Sequence, residues 1–104
     1  MRIYLSGPVS EAGAFQIYNS VETRLRCEGN CDIINTETVL QGLQLSRKDR
    51  EYICSALLNI SDVLLLLPGW RDSPEACIDL GIALARRMRI YELYPNLRIK
   101  EIKP

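Results

Sequence analysis

The feature that most constrains the fold is the apolar run of residues 63–67 (VLLLL). A short run with no alternation of apolar and polar residues is typical of a strand buried on both faces, as in parallel sheets. A proline and a glycine end the run. Ser73 and Pro74 then supply the cap and the first residue of a helix. The sequence therefore predicts a buried strand, a tight turn and a helix over residues 73–88.

The turn after this strand is a candidate for ligand binding. In open α/β sheets, ligands lie outside the carboxyl ends of the strands, next to such turns. The turn and the start of the helix carry an unusual concentration of polar and aromatic side chains, namely Trp70, Arg71, Asp72, Ser73, Glu75 and Asp79. We therefore expect these residues to form the floor of a small-molecule site.

The remaining segments alternate between strand and helix patterns. Further strands are expected at residues 2–6, 31–35 and 89–93, with an edge strand at 97–102. Helices are expected over residues 11–27, capped by Ser10, and from Ser46 to about residue 59, whereas residues 36–44 fit either a loop or a short helical turn. This β-α-β-α-β-α-β-β pattern predicts one α/β domain over residues 1–104. It should be a flavodoxin/Rossmann-like domain with three layers and a mostly parallel sheet of four to five strands, in the flavodoxin-like order 2-1-3-4-5.

Composition excludes several classes of function. Thirteen basic and thirteen acidic residues balance, so the basic stripe of a nucleic-acid binder is missing. The chain has no histidine, which excludes imidazole bases, Ser-His-Asp triads and histidine-ligated zinc. Acid–base or nucleophilic chemistry must therefore use carboxylates, hydroxyls, thiols or amines, and we expect no cofactor and no metal.

The cysteine pattern predicts reduced thiols in a cytoplasmic protein. None of the four cysteines forms a C-x-x-C pair, and neither a signal peptide nor a long apolar span precedes them. Cys54 and Cys77 lie on apolar helical stripes and are expected in the core. Cys27 and Cys31 flank a turn, where a disulfide or half of a metal site is the alternative. We expect no contact with a membrane.

Two motifs occur together in an order that resembles a known family. One motif lies at the end of the first strand and is Tyr4-Leu5-Ser6-Gly7-Pro8. The other surrounds the apolar run and is Asp62…Leu67-Pro68-Gly69-Trp70…Ser73-x-x-Ala76-x-x-Asp79. Over nearly the whole chain, this order is similar to small phage and bacterial relatives of the nucleoside 2-deoxyribosyltransferases. Many of those relatives are labelled only as a domain of unknown function (DUF4406-type).

The resemblance implies cleavage of an N-glycosidic bond in a nucleoside or nucleotide. In the family, a carboxylate on the helix after the third strand attacks the anomeric carbon and forms a glycosyl-enzyme. By position, Asp79 corresponds to that nucleophile, Asp62 to an aspartate that holds or protonates the base, and Tyr4 to a tyrosine that orients the nucleophile. The resemblance also implies that Ser6 and Gly7 line the sugar and phosphate end of the pocket. The other expected substrate-binding residues are Pro8, Asn35, Gly69, Trp70, Ser73 and Glu75. The resemblance also implies a homodimer or larger homo-oligomer, which the largely apolar helix of residues 73–88 independently permits.

Three positions depart from the family pattern. Asp79 replaces a glutamate, Glu75 replaces a glycine, and Thr36 replaces the proline that usually follows Asn35. Aspartate is one methylene shorter than glutamate, and a misplacement of about 1 Å can cost roughly a hundredfold in rate. Glu75 either crowds the mouth of the pocket or supplies a substitute carboxylate.

Three hypotheses therefore remain open: an N-glycosidic enzyme, a non-catalytic nucleotide-binding module, and an interaction domain with a vestigial pocket.

Three individual residues each have two possible roles. Asp62 either contacts the base or satisfies loop amides. Trp70, expected to be exposed or half exposed, either stacks on a base or packs as a lid. Ser73 is expected first as a helix cap, and ligand contact is compatible with that role.

Overall fold

The computed structural model describes residues 1–9 and 13–103. Its elements alternate along the chain: β1 (Arg2–Ser6), α1 (Ala14–Glu28), β2 (Asp32–Ile34), α2 (Thr36–Val39), α3 (Arg47–Asn59), β3 (Val63–Leu66), α4 (Pro74–Ala85), β4 (Arg89–Leu93) and β5 (Ile99–Ile102). The strands form one sheet in the order β2-β1-β3-β4-β5, which confirms the predicted order. The first four strands are parallel, and β5 pairs antiparallel with β4 at the edge.

Helices cover both faces of the sheet and give three layers. Alternate side chains of the central strand point to opposite faces, so Leu64 and Leu66 pack against α3 and α4, whereas Leu65 and Leu67 pack on the side of α1. All residues of β3 are buried. The apolar run lacks alternation because both of its faces are covered, as the sequence predicted.

Local signals correctly predicted the starts of α3 and α4, and the structure corrects the end of α4. Ser46 caps α3 by accepting a hydrogen bond from the Asp49 amide, and Ser73 caps α4 by accepting one from the Ala76 amide. Helix α4 ends at Ala85 rather than near residue 88, because Arg87 adopts a left-handed φ of 57° that α-helix does not allow. The segment 36–44 contains a short helical turn, α2.

The expected start of the first helix lies partly outside the described residues. Ser10, predicted as its cap, and the first residues of the predicted helix are not described. Within the described part, α1 begins at Ala14 after Gly13, which has a φ of 88°.

Two glycines bring the loops after β1 and β3 side by side. A Cβ at Gly7 would lie 2.9 Å from the Leu67 Cβ, so only glycine allows this approach. Gly69 has a φ of 87°, and a Cβ there would lie 3.2 Å from the Pro8 Cγ. The two loops that the sequence singled out are therefore in contact at the carboxyl edge of the sheet.

The cysteines differ in part from their predicted places. All four are free thiols, so the alternative of a disulfide between Cys27 and Cys31 does not hold. Cys54 is half-buried and packs against the core, but Cys77 is exposed, which corrects its assignment to the core. Among the helices of residues 1–9 and 13–103, none has both the length and the apolar character to cross a bilayer.

Candidate functional site

A pocket of about 540 Å³, counted with its open mouth, lies at the carboxyl end of β1 between α3 and α4. Strand order reverses between β1 and β3, so this is the switch point where α/β sheets bind ligands. Polar side chains from β1, α1, α2, α3 and α4 line it, and they are Tyr4, Ser6, Tyr18, Thr36, Arg47, Arg50, Glu51, Cys54, Ser55, Glu75 and Asp79. The structure thus brings Tyr4, Ser6, Gly7, Glu75 and Asp79 together, as expected.

Asp79 forms the base of the pocket with Ser6. The Ser6 hydroxyl donates a 2.7 Å hydrogen bond to Asp79 Oδ2, and both side chains are buried. Ser6 ends β1 on the face covered by α4, and Asp79 lies in the second turn of α4, one turn after Glu75. The contact therefore joins the first strand to the helix that follows the third.

The environment of Asp79 raises its pKa from 3.8 to about 6. Burial is the largest cause, since it disfavours the charged form. The hydrogen bond from Ser6 lowers the pKa, the nearby Glu75 carboxylate raises it, and the Arg50 guanidinium lowers it. Carboxyl groups with pKa values displaced toward neutrality are common at catalytic sites. Asp79 can therefore act as a nucleophile or base above pH 6.

Ser73 links the mouth of the pocket to the first loop. Its Oγ lies 3.3 Å from the Gly7 carbonyl oxygen and 3.3 Å from Glu75 Oε2, and its single proton can be donated to one of them at a time. Ser73 is not itself a lining residue of the pocket. Its described contacts make it a helix cap that also orients Glu75.

Two buried tyrosines complete the floor. Burial is the main cause that raises the pKa of both phenols, so both remain protonated donors near neutral pH. Tyr18 donates a 3.0 Å hydrogen bond to the Gly7 carbonyl. Tyr4 and Cys54 both line the pocket, and the described hydroxyl that donates to Asp79 is that of Ser6. Among the described hydrogen bonds, the contact with Asp79 that was expected of Tyr4 is therefore made by Ser6.

Helix α3 supplies a wall of the pocket that the sequence reading missed. Arg47 and Arg50 lie three residues apart and Cys54 one turn further on, so all three share one face of the helix. This spacing, directly after the Ser46 cap, was the available signal. It was overlooked because nothing in the sequence shows that α3 and α4 approach each other over the end of β1.

Asp62 lies at the amino ends of the parallel strands, whereas the pocket lies at their carboxyl ends. It precedes β3, and its Oδ2 accepts a 2.8 Å hydrogen bond from the Arg2 backbone amide at the start of β1. Because parallel strands begin at the same edge, a residue before β3 cannot reach the carboxyl end of β1. The expectation that Asp62 contacts the base is therefore corrected, and it satisfies a backbone amide instead.

Trp70 is buried, with 8% of its surface exposed, which corrects the expected exposure. Its Nε1 donates a 3.0 Å hydrogen bond to Glu92 Oε1, and Arg71 Nη1 donates one of 3.1 Å to the same oxygen. The Arg71 guanidinium also stacks over the indole ring at 4.7 Å. Of the two interpretations, the structure supports packing, because the ring does not line the pocket.

Asn35 also has a structural role. It is buried and caps α2 through its Oδ1, while its Nδ2 donates to Asn19 Oδ1 and Glu22 Oε1. The adjacent Thr36 lines the pocket in its place. Pro8 and Gly69 meet each other in the paired loops and likewise are not lining residues. In residues 1–9 and 13–103, no cluster of three or more His, Cys, Asp or Glu side chains could hold a metal.

Comparison with known proteins identifies the family of this chain. The family model described as Domain of unknown function (DUF4406) matches residues 1–92, so the chain belongs to that family. The match includes both loops and every lining residue of the pocket. No curated protein and no solved structure matches the chain.

Proposed function

We propose that this protein is an enzyme of N-glycosidic chemistry that removes or transfers the base of a nucleoside or nucleotide, with Asp79 as nucleophile. The observation that carries the proposal is the buried Ser6–Asp79 pair at the base of the pocket. Ser6 engages Oδ2 and leaves Oδ1 for attack. With a pKa of about 6, the carboxyl group is mostly ionised at neutral pH and therefore nucleophilic.

The reaction needs two carboxyl groups, and α4 supplies both. An Asp79 oxygen forms a bond to the anomeric carbon while the bond from that carbon to the base nitrogen breaks. The base leaves with the electron pair and takes a proton from water, and the Glu75 carboxylate on the same helix takes the proton of the attacking water in the next step. Water or an acceptor base then attacks the anomeric carbon and regenerates the carboxylate. Residues one turn apart lie on the same face of a helix, so both carboxyl groups border the same pocket, as two-step glycosyl transfer requires.

A second candidate, a nucleotide-binding module without chemistry, is favoured by the recessed position of Asp79. Only 8% of its surface is exposed, and its side chain is one methylene shorter than a glutamate. If the carboxylate cannot reach the anomeric carbon, the pocket would still bind its ligand. This alternative predicts affinity without release of base.

The test is to incubate the protein with ribo- and deoxynucleosides and their 5′-monophosphates, with and without an acceptor base, and to follow free base by chromatography. Asp79→Asn should abolish release, whereas Asp32→Asn, which changes an exposed carboxylate on β2, should not. A covalent glycosyl adduct on Asp79, seen by mass spectrometry, would establish the nucleophile. Ligand binding with no release from any substrate would exclude the enzyme and leave the binding module.

We also propose that the protein acts as a homodimer or larger homo-oligomer in the cytoplasm, where its thiols would stay reduced. The outer stripe of α4, formed by Cys77, Ile78, Gly81, Leu84 and Ala85, is exposed in one chain although it is apolar. Ile78 also lines the pocket, so a second copy on this stripe would border the site. Sedimentation of the protein and of Leu84→Glu tests this, since a monomer in both would exclude it.

A further inference from the structure

The pocket has two walls of opposite charge. Helix α4 contributes the carboxyl groups of Glu75 and Asp79, and α3 contributes the guanidinium groups of Arg47 and Arg50. Glu51 also lies on the α3 wall. A ligand that fits this arrangement carries an anionic group at one end and presents its reacting atom to Asp79 at the other.

The guanidinium groups retain hydrogen-bonding capacity. Arg50 Nη2 lies 3.4 Å from Glu37 Oε1, and Arg47 Nε lies 3.3 Å from Glu51 Oε1. Both distances exceed the roughly 2.7–2.9 Å of a strong charge-assisted hydrogen bond. Each guanidinium has five N–H donors, and these contacts use one from each. Among the described residues, both arginines are therefore held weakly enough to turn toward a better anion.

Arg50 is the more important of the two. The Arg50 side chain is 28% exposed, and that of Arg47 is 74% exposed. The charge of Arg50 is therefore less screened by solvent. Its charge also lowers the pKa values of Asp79, Cys54 and Tyr18, three residues that line the pocket. Arg50 is thus directed at the interior of the pocket, while Arg47 lies at its rim.

We propose that Arg50, assisted by Arg47, binds the 5′-phosphate of a nucleoside monophosphate, so that the phosphorylated form is the substrate rather than the free nucleoside. The planar guanidinium fork matches phosphate oxygens, and Arg50 and Arg47 supply two such forks. In a nucleoside 5′-monophosphate the phosphate and the anomeric carbon lie at opposite ends of one sugar, as the two walls require. The inference rests on the proposed function for the nucleoside part of the ligand.

Binding is measured in the Asp79→Asn background, which prevents turnover. Calorimetry with a 2′-deoxynucleoside and its 5′-monophosphate should give at least about tenfold tighter binding of the monophosphate. Arg50→Gln should remove most of this preference, because it should weaken binding of the monophosphate by a much larger factor than binding of the free nucleoside. Arg50→Lys, which keeps the charge but loses the fork, should lie between. Inorganic phosphate should compete with the monophosphate and not with the nucleoside.

A matched control is Arg24→Gln on α1. Arg24 pairs with Glu28 four residues later, as Arg47 pairs with Glu51, but it is remote from the pocket. Arg24→Gln should leave the affinities for the nucleoside and for its 5′-monophosphate unchanged. Circular dichroism of each variant verifies that the fold persists.

Several outcomes would overturn the inference. These are equal affinity for the two ligands, no binding of either, or a preference that survives in the Arg47→Gln, Arg50→Gln double variant. Base release from free nucleosides as fast as from monophosphates would support the proposed glycosidic activity but contradict the proposal that the enzyme selects phosphorylated substrates. Arg50-dependent, phosphate-selective binding without base release would keep phosphate selection and remove the proposed chemistry.

Discussion

The hydroxyl of Ser6, the last residue of β1, donates a 2.7 Å hydrogen bond to Asp79 Oδ2, 73 residues later in the chain. This bond stabilises the ionised carboxylate in a site whose burial opposes ionisation. The hydrogen bond therefore lowers the pKa of the proposed nucleophile, against the larger effect of burial, and orients its carboxylate.

Replacing Ser6 by alanine should raise the pKa of Asp79 above about 6, because the hydrogen bond that lowers it is lost. Carbon-detected NMR titration of the Asp79 carboxyl group measures this directly. Ser55→Ala, at a lining serine that donates no described hydrogen bond to Asp79, is the control. An unchanged titration in Ser6→Ala would mean that the hydrogen bond does not form in solution.

Asp79 should make the protein less stable as pH rises from about 4 to above 6. The folded-state pKa, about 6, is higher than the ordinary value of 3.8, so the folded state binds more protons than the unfolded state in this interval. The free energy of unfolding therefore falls with rising pH, by on the order of 2–3 kcal/mol in total from this group. Below about pH 4, Asp79 is protonated in both the folded and the unfolded state, so its raised pKa no longer lowers the free energy of unfolding.

Asp79→Asn removes that penalty, so its stability relative to the natural chain should be greater at pH 8 than at pH 4. Urea unfolding at the two pH values measures the difference. Asp32→Asn serves as the exposed control and should show no comparable dependence on pH. An equal effect of Asp79→Asn at both pH values would contradict the raised pKa.

Two glycine-to-alanine substitutions should change stability in opposite directions. Gly7→Ala places a Cβ 2.9 Å from the Leu67 Cβ and should destabilise the fold by about 1–3 kcal/mol through overpacking. Gly81→Ala meets nothing within 4 Å on α4 and should stabilise it by roughly 0.5–1 kcal/mol. Denaturant midpoints measure both changes. A Gly7→Ala variant as stable as the natural chain would show that the loops after β1 and β3 are not in contact as described.

Trp70→Phe should destabilise the protein without weakening ligand binding. The substitution keeps the aromatic ring but removes the Nε1 donor to the buried Glu92, at a cost of about 1–3 kcal/mol. Unfolding followed by circular dichroism measures the cost, and Arg71→Gln, at a largely exposed partner of the same carboxylate, should have a smaller effect. A loss of nucleotide affinity at unchanged stability would favour base stacking instead.

Much of the candidate site follows from local sequence signals. Ser73 caps α4 because the acceptor and its amide are three residues apart, and Glu75 and Asp79 share a face because they are one turn apart. The site could be placed at the turn after β3 because strand polarity sets where ligands bind. Strand polarity would also have excluded Asp62, which precedes the strand and therefore lies at the other edge.

The amino-acid sequence by itself determined most of the helices and strands, since apolar periodicity and caps act over short stretches. The strand order was expected by analogy with flavodoxin-like sheets, because crossover handedness alone allows more than one order. The tertiary structure alone decided which distant side chains meet. It paired Ser6 with Asp79, buried Trp70 against Glu92, and turned the arginines of α3 toward the pocket. These contacts depend on how two helices and two loops pack over one edge of the sheet, and burial and charge at such contacts are set by residues far apart in the chain.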